Sequence, residues 1–504
     1  MHIILGPPGT GKTTRLLSMV EDAMDRGIPP DRIGYFSFTR RAADEAMERA
    51  IKRFRLTRRD LPYFRTLHSL AKSVVGIDNK SIMQVKHYQD CATWLKVPMF
   101  SELIRPDDGP YQEYGLGDRF LEVINMSRIC RLPLREVYNK STVPETTDFA
   151  MVEYVDRGLR KYKDANGLFD FTDMLELFVK RNASPPFDLV FIDEVQDLSP
   201  LQWQMVHQIA ERSKQVVIAG DDDQAIYRWA GADVEYFIRL DGTTEVLGQS
   251  YRIPASHHAM SQHLISSVQH RRRKEFLPRP DEGVIKWHSH SEEVDLNEND
   301  WLLLARTRRL AKQLEQEVRQ RGMLYSFALS NDVDHESMEA IRLWEALRRG
   351  ETLVTKDVRR VYRQMRINES VARGHKTMPD VHEDAEHNLE TLATNHGLLT
   401  KAPWEEALSA IPENEKTYYK ACLRRGEDFT KPPRIRISTI HSAKGAEATN
   451  VLLVTDFPQK GGVSVRRNVF EEDDEKRVFY VGLTRAKKEL HLIHPMSTKG
   501  FPLT

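Results

Sequence analysis

Three stretches of the sequence gather residue types that could handle a nucleoside triphosphate. The first, Gly6-Pro-Pro-Gly-Thr-Gly-Lys-Thr13, spaces glycines ahead of a lysine and a hydroxyl. Glycines let backbone N–H groups turn in around phosphates, and the helix expected to follow aims its positive end at them. The candidate cradle is Gly6, Pro7, Pro8, Gly9, Thr10, Gly11, Lys12, Thr13 and Thr14. In it Lys12 would reach the β- and γ-phosphates and the Thr13 hydroxyl would bind Mg2+. The second stretch, Leu189–Asp197 (LVFIDEVQD), ends an apolar run in an acidic pair. Such a pair is costly there unless it serves a cation or a water. Asp193 is the expected Mg2+ ligand, and Glu194 is expected to polarise the attacking water.

The third stretch, Gly220–Asp233 (GDDDQAIYRWAGAD), sets three carboxylates and an amide beside Tyr227, Arg228 and Trp229. Either half alone reads as a turn or a piece of core. Side by side, they suggest that Asp223 and Gln224 face a nucleotide while Tyr227 and Trp229 face single-stranded nucleic acid. Aromatic faces stack on bases without reading sequence. A shift of Gln224 on hydrolysis would then travel only a few residues to the stacking platform.

Composition narrows the class. With 74 basic and 74 acidic side chains the net charge is zero, which excludes a wholly basic nucleic-acid coat. Local basic runs remain, Arg49–Arg59 and Arg271–Lys274, and each reads equally well as a solvated helix face. No apolar run is long enough for a membrane helix, and the N-terminus runs straight into a strand without a leader. Cys91, Cys130 and Cys422 lie far apart, form no zinc motif, and fit a reducing cytoplasm, the expected location.

Further motifs extend along the chain: Phe36–Ala46 (FSFTRRAADEA), Phe64–Ser69 (FRTLHS), Gly248–Arg252 (GQSYR) and Leu302–Arg308 (LLLARTR). Ile437–Val454 (ISTIHSAKGAEATNVLLV) and Glu475–Leu490 (EKRVFYVGLTRAKKEL) complete the set. With the three stretches above, and in the same order, they resemble the motifs of superfamily one DNA helicases of the UvrD/Rep/PcrA type. The resemblance spans nearly the whole chain. It implies an α/β fold of two RecA-like P-loop NTPase domains with parallel sheets, each carrying a mainly helical insertion, and it implies use of ATP and Mg2+. The forms YVGLTRA and QAIYRWAGA resemble the branch that moves 3′→5′.

The same resemblance assigns roles. ATP would sit between the two domains, with Lys12, Asp193, Glu194, Gln224, Arg252 and Arg485 as the catalytic set. Arg252 and Arg485 would reach the γ-phosphoryl from the second domain, Tyr251 would stack on adenine and Glu447 would contact the ribose. Thr39, Thr66, His68, Tyr227, Trp229, His441 and Ser442 would touch DNA or couple it to ATP. Single-stranded DNA and single-strand/duplex junctions are the implied partners, with a replication or repair protein beside them, for a monomeric motor with no membrane contact.

The sequence departs from the family pattern in places. The glutamine segment that reads the adenine edge is missing ahead of the first strand, so base preference should be loose. A base-stacking Phe becomes Leu67, with Phe64 nearby; an Arg becomes Ala230; and NYRS becomes Ser250-Tyr251-Arg252-Ile253. Rival readings are a translocase that strips proteins or serves a partner with little unwinding alone, and a non-hydrolysing DNA clamp. The intact catalytic set argues against the clamp. A small-molecule kinase would need only the first stretch and leaves the second half unexplained.

Short apolar runs at Ile3–Leu5, Ile33–Phe38, Leu189–Ile192 and Val216–Ala219 read as buried parallel strands of a first domain. Val284–Trp287, Leu302–Ala305, Ile435–Ser438, Val451–Val454 and Leu490–Ile493 read as those of a second. The expected division is 1–74 plus 171–243 for the first domain, with a helical insertion at 75–170 that includes an Arg105–Asp118 loop. The second domain takes 244–344 plus 433–504, with a short helical insertion at 345–432.

Overall fold

The computed structural model describes residues 1–98, 116–141, 143, 147–327, 333–378, 380–456, 469–495, 501 and 503. Two six-stranded parallel sheets dominate it, each sandwiched between helices. The first contains β1 (His2–Leu5), β2 (Ile33–Ser37), β3 (Phe64–Thr66), β4 (Phe187–Asp193), β5 (Ser213–Gly220) and β6 (Thr243–Val246), in the order β3-β2-β4-β5-β1-β6. The central strands β2 and β4 are buried almost end to end, which is why their sequences are apolar without alternation. Helices Lys12–Asp25 and Arg40–Phe54 cover one face through Leu16, Val20, Ala46 and Ala50. Helices Leu67–Val75, Phe171–Arg181 and Pro200–Glu211 cover the other.

The second sheet contains β7 (Val284–His288), β8 (Trp301–Ala305), β9 (Tyr325–Phe327), β12 (Ile435–Thr439), β13 (Ala448–Val454) and β14 (Ala486–Ile493), in the order β7-β14-β13-β8-β12-β9. Between β9 and β12 lies a small antiparallel pair, β10 (Leu353–Val354) with β11 (Glu386–His387).

The two insertions differ in how they are built. Helices Val85–Leu95, Leu116–Ile129, Leu134–Lys140 and Phe149–Asn166 pack around a core of their own that includes Cys91, Phe120, Val152 and Leu159. In the second insertion Trp344, Tyr362 and Trp404 share one continuous core with Leu303 of β8 and with Ile435 and Ile437 of β12. The expected boundary at 345 therefore cuts a single helix, Val333–Arg348, and a single core. The boundary at 243 also moves, because β6 pairs with β1 from Thr243 to Val246 and belongs to the first sheet. Residues 105–115 of the expected loop lie outside the described residues, and Leu116–Asp118 opens a helix.

Candidate active site

The three chemistry-bearing stretches all leave the C-terminal edge of the first sheet, from β1, β4 and β5, the edge at which α/β sheets bind ligands. After β1 the loop turns through Gly9 and Gly11, at φ +75° and +78°, into the helix Lys12–Asp25. A Cβ on Gly9 would lie 2.5 Å from the Cβ of Arg252, so the second domain closes directly onto this loop. Two more bonds fix that closure: Ser250 Oγ donates to the Pro8 carbonyl at 2.9 Å, and Tyr251 N–H donates to the Gly9 carbonyl at 2.9 Å.

Lys12 Nζ lies 3.1 Å from Asp193 Oδ1 and in contact with Glu194. Asp193 also accepts from the Tyr35 hydroxyl at 2.9 Å. Glu194 leaves β4 with φ +58°, a conformation that costs an ordinary residue about 1 kcal/mol or more and persists where surrounding contacts fix it. Gln196 supplies one such contact, donating to Glu194 Oε2 at 2.6 Å while its own carbonyl accepts from Asp221 N–H at 3.0 Å. Burial alone would raise the Glu194 pKa, but Lys12 and Lys444 outweigh it and hold the carboxyl down at about 2. Burial also opposes the charge on Lys12, which its two carboxylate neighbours more than restore.

From the second domain, Arg485 reaches Gln224 Oε1 at 2.9 Å. Its guanidinium is buried, 1% exposed, and its other partners are the Val481 and Ala446 carbonyls and the Thr484 hydroxyl, all neutral. Burial first, then the nearby Arg252, lowers its pKa. Arg252 instead binds Glu447, Nε to Oε2 at 2.6 Å, and Lys487 meets the other oxygen of the same carboxylate. Tyr251 is 72% exposed, with its ring 3.9 Å from where a Gly11 Cβ would stand.

Lys444 is a site residue that reading the sequence for single motifs misses. Its ammonium donates to the Gln224 backbone carbonyl at 2.7 Å, pairs with Asp197 and lies 3.7 Å from Glu194. It sits in AKG of Ile437–Val454, and nothing local in the sequence pairs it with LVFIDEVQD.

Two parts of the Gly220–Asp233 expectation are corrected. Asp223 does not face a nucleotide: its carboxylate binds Arg271 and Lys274 of the second domain. Tyr227 does not face a strand either. It is 2% exposed, its hydroxyl donates to the His441 carbonyl at 3.1 Å, and its ring packs 5.7 Å from Phe38. His441 is buried beside it, held well below the usual imidazole value by burial, so its ring also has no open face for DNA. Apolar packing between the domains claims both rings, which their aromatic character alone does not reveal.

The remaining nucleic-acid candidates sit less deeply. Thr39 and Thr66 cap the helices that follow them, accepting from Ala42 N–H and Ser69 N–H at 3.2 Å each. Ser442 N–H donates to Thr439 Oγ1 at 3.2 Å, and Trp229 is half-buried, edge-on to His441 at 6.2 Å. Leu67 is buried, and Phe64 is stacked on Tyr35 at 5.2 Å, so neither offers a ring. Phe171 does: it is 51% exposed at the start of its helix, edge-on to His68 at 6.2 Å. It lies outside every motif quoted from the sequence.

A family model described as the UvrD/REP helicase N-terminal domain matches residues 1–245, and one described as the UvrD-like helicase C-terminal domain matches residues 434–493. The chain is similar to the "Probable DNA helicase II homolog" of Rickettsia conorii, 23% identical over 99% of this chain and 91% of that protein. It is also similar to the ATP-dependent DNA helicase PcrA of Leuconostoc citreum, 22% identical over 98% of this chain and 80% of that protein. Matches to a Bacillus subtilis helicase, YjcD, and to Staphylococcus aureus PcrA span 47% and 50% of this chain and only 32% and 36% of those relatives.

Proposed function

The chain belongs to the UvrD/Rep helicase family, and on that premise we propose that it is a DNA-stimulated ATPase that moves 3′→5′ on single-stranded DNA and unwinds duplex. One observation carries the reading. Arg485 brings a buried cation with only neutral partners to Gln224, across the cleft from Lys12 and Glu194. A guanidinium desolvated without a carboxylate partner is strongly stabilised by an incoming anion, and the γ-phosphoryl at its transition state is that anion.

The residues fit a Mg2+–triphosphate: Thr13 and Asp193 supply hard oxygens, Thr13 in the first turn of the helix that begins at Lys12 and Asp193 at 3.1 Å from the Lys12 ammonium. Bound there, Mg2+ would neutralise charge developing between the β- and γ-phosphates. Lys12 would exchange its carboxylate partners for phosphate oxygens. That exchange frees Glu194 from its strongest charge partner and raises its pKa towards that of a useful base. Gln196 keeps the Glu194 carboxylate aimed, and Gln224 carries the state of the γ-phosphate to Arg485 on one side and to the Lys444 contact on the other.

On the strand face we assign Trp229 and Phe171 as stacking platforms, with Thr39, Thr66, His68 and Ser442 beside the backbone. Single-stranded DNA and junctions, a replication or repair protein, a monomeric state and a cytoplasmic location go with this reading. Among the described residues no helix is long and apolar enough to cross a membrane.

The test is phosphate release with and without single-stranded DNA, followed by displacement from 3′- and 5′-tailed duplexes. Stimulation with displacement only from the 3′-tailed substrate is expected. Absent stimulation, or displacement only from a 5′ tail, overturns the reading. Stimulation without displacement from either tail favours the translocase that serves a partner.

A further inference from the structure

The run Arg271-Arg-Arg-Lys274 is not a solvated helix face. Lys274 has a fully buried side chain whose ammonium lies 3.0 Å from Asp221 Oδ1, 2.6 Å from Asp222 Oδ1 and 3.0 Å from Asp223 Oδ2. Arg271 doubles the link, with Nε donating to Asp223 Oδ1 at 2.7 Å and Nη2 to Oδ2 at 2.5 Å. Arg272 N–H donates to Asp222 Oδ2 at 2.7 Å. All three carboxylates of Gly220–Asp223 are thus gathered by one segment of the second domain. The segment is itself anchored to the helix Val469–Leu483 that leads to Arg485: Asp473 accepts from Gln269 N–H and His270 N–H, and Arg477 donates to the His270 carbonyl.

Asp221 connects this cluster to the nucleotide. Its Oδ2 accepts from the Gln224 side-chain amide at 2.7 Å, which leaves Gln224 Oε1 turned to Arg485. Its N–H reaches Gln196, which holds Glu194. An amide can point either of its two ends at a partner, and a fixed acceptor on one side decides which end faces the other. Three carboxylates buried at under 2% exposure repel one another unless a cation sits between them, and removing that cation leaves charge with no compensation.

We propose that Lys274 is the positioning residue for Gln224: by gathering Asp221, Asp222 and Asp223 from across the cleft, it fixes the acceptor that aims the Gln224 side-chain oxygen at Arg485. The second domain therefore helps to set the orientation of the sensor that it then reads. This rests on the ATPase reading above.

A double-mutant cycle tests it, measuring kcat and KM for ATP per folded enzyme at saturating single-stranded DNA. Lys274→Met is expected to lower kcat roughly tenfold with little change in KM, and Lys274→Arg to recover most of the loss. The decisive arm is Lys274→Met combined with Gln224→Ala, which should be no slower than Gln224→Ala alone. Should Lys274→Met fail to fold, Arg271→Gln enters the same cycle. Losses that multiply in the double variant, or a Lys274→Met enzyme whose melting temperature falls while kcat holds, overturn the proposal. An inactive wild type would overturn the ATPase reading along with it, whereas an active wild type with multiplying losses overturns this inference alone.

Discussion

Gln224 and Arg485, 261 residues apart in the chain, meet through a 2.9 Å hydrogen bond from the guanidinium to the amide oxygen. The bond ties the exit of β5 in the first domain to the start of β14 in the second. Arg485→Ala is expected to lower DNA-stimulated kcat by about a thousandfold or more while KM for ATP stays near wild type. A variant whose KM rises at unchanged kcat would show that Arg485 only binds ATP.

Strand binding should separate the aromatic residues. Trp229→Ala and Phe171→Ala should each weaken binding to oligo(dT) by about 1–3 kcal/mol, read by fluorescence anisotropy. Tyr227→Phe should leave affinity unchanged, since its ring is packed between the domains and only its bond to the His441 carbonyl is lost. A large loss of affinity in Tyr227→Phe would contradict that buried placement.

Acid and base should act oppositely on two neighbouring carboxyls. Burial raises Asp197 to about 7 from 3.8. Because the folded value lies above the unfolded one, its contribution to stability is complete below pH 3.8 and is lost as pH rises through 7. Asp197→Asn should remove that slope, worth up to about 4 kcal/mol, in urea titrations across this range. Glu194, held down at about 2 from 4.5, contributes above pH 4.5 and loses its contribution as pH falls towards 2. An Asp197→Asn curve as steep as wild type would refute the assignment.

The glycines of the phosphate loop should differ in cost. Gly9→Ala combines a positive φ with a Cβ 2.5 Å from Arg252 Cβ, whereas the nearest neighbour of a Gly11 Cβ is at 3.9 Å. Melting without nucleotide should fall further for Gly9→Ala than for Gly11→Ala, which bears the backbone term of about 1 kcal/mol alone. Equal losses would mean that the domains do not close onto Gly9 in solution.

Tyr251, at 72% exposure, offers an open ring face, and stacking on a face does not read a base's hydrogen-bonding edge. Turnover of ATP, GTP and CTP should therefore agree within about tenfold. A strong preference for ATP would reveal an adenine reader elsewhere.

The sequence reveals what depends on neighbours along the chain. Lys12 follows its glycines and Asp193 ends its apolar strand, so their residue types and spacing already indicate a phosphate site. Relationships across the cleft leave no such trace. Lys444 beside Asp197, Lys274 among three aspartates, and Tyr227 under Lys444 are decided by how two sheets close on each other. A run such as RRRK looks the same in sequence whether its lysine is solvated or enclosed. The second insertion hides its attachment for a related reason: helical periodicity identifies Trp344 and Tyr362 as apolar but does not say whose core they complete.

That shared core gives the two appendages seams of different chemistry. Moving the second insertion relative to its sheet would expose the core that Tyr362 and Trp404 share with Leu303 and Ile435. The described helices between residues 76 and 170 carry an apolar centre of their own and are held to the first domain by charge instead, Arg128 and Lys163 gripping Asp170 and Asp173. One appendage is thus joined to its domain through shared apolar packing and the other through a buried cluster of opposite charges.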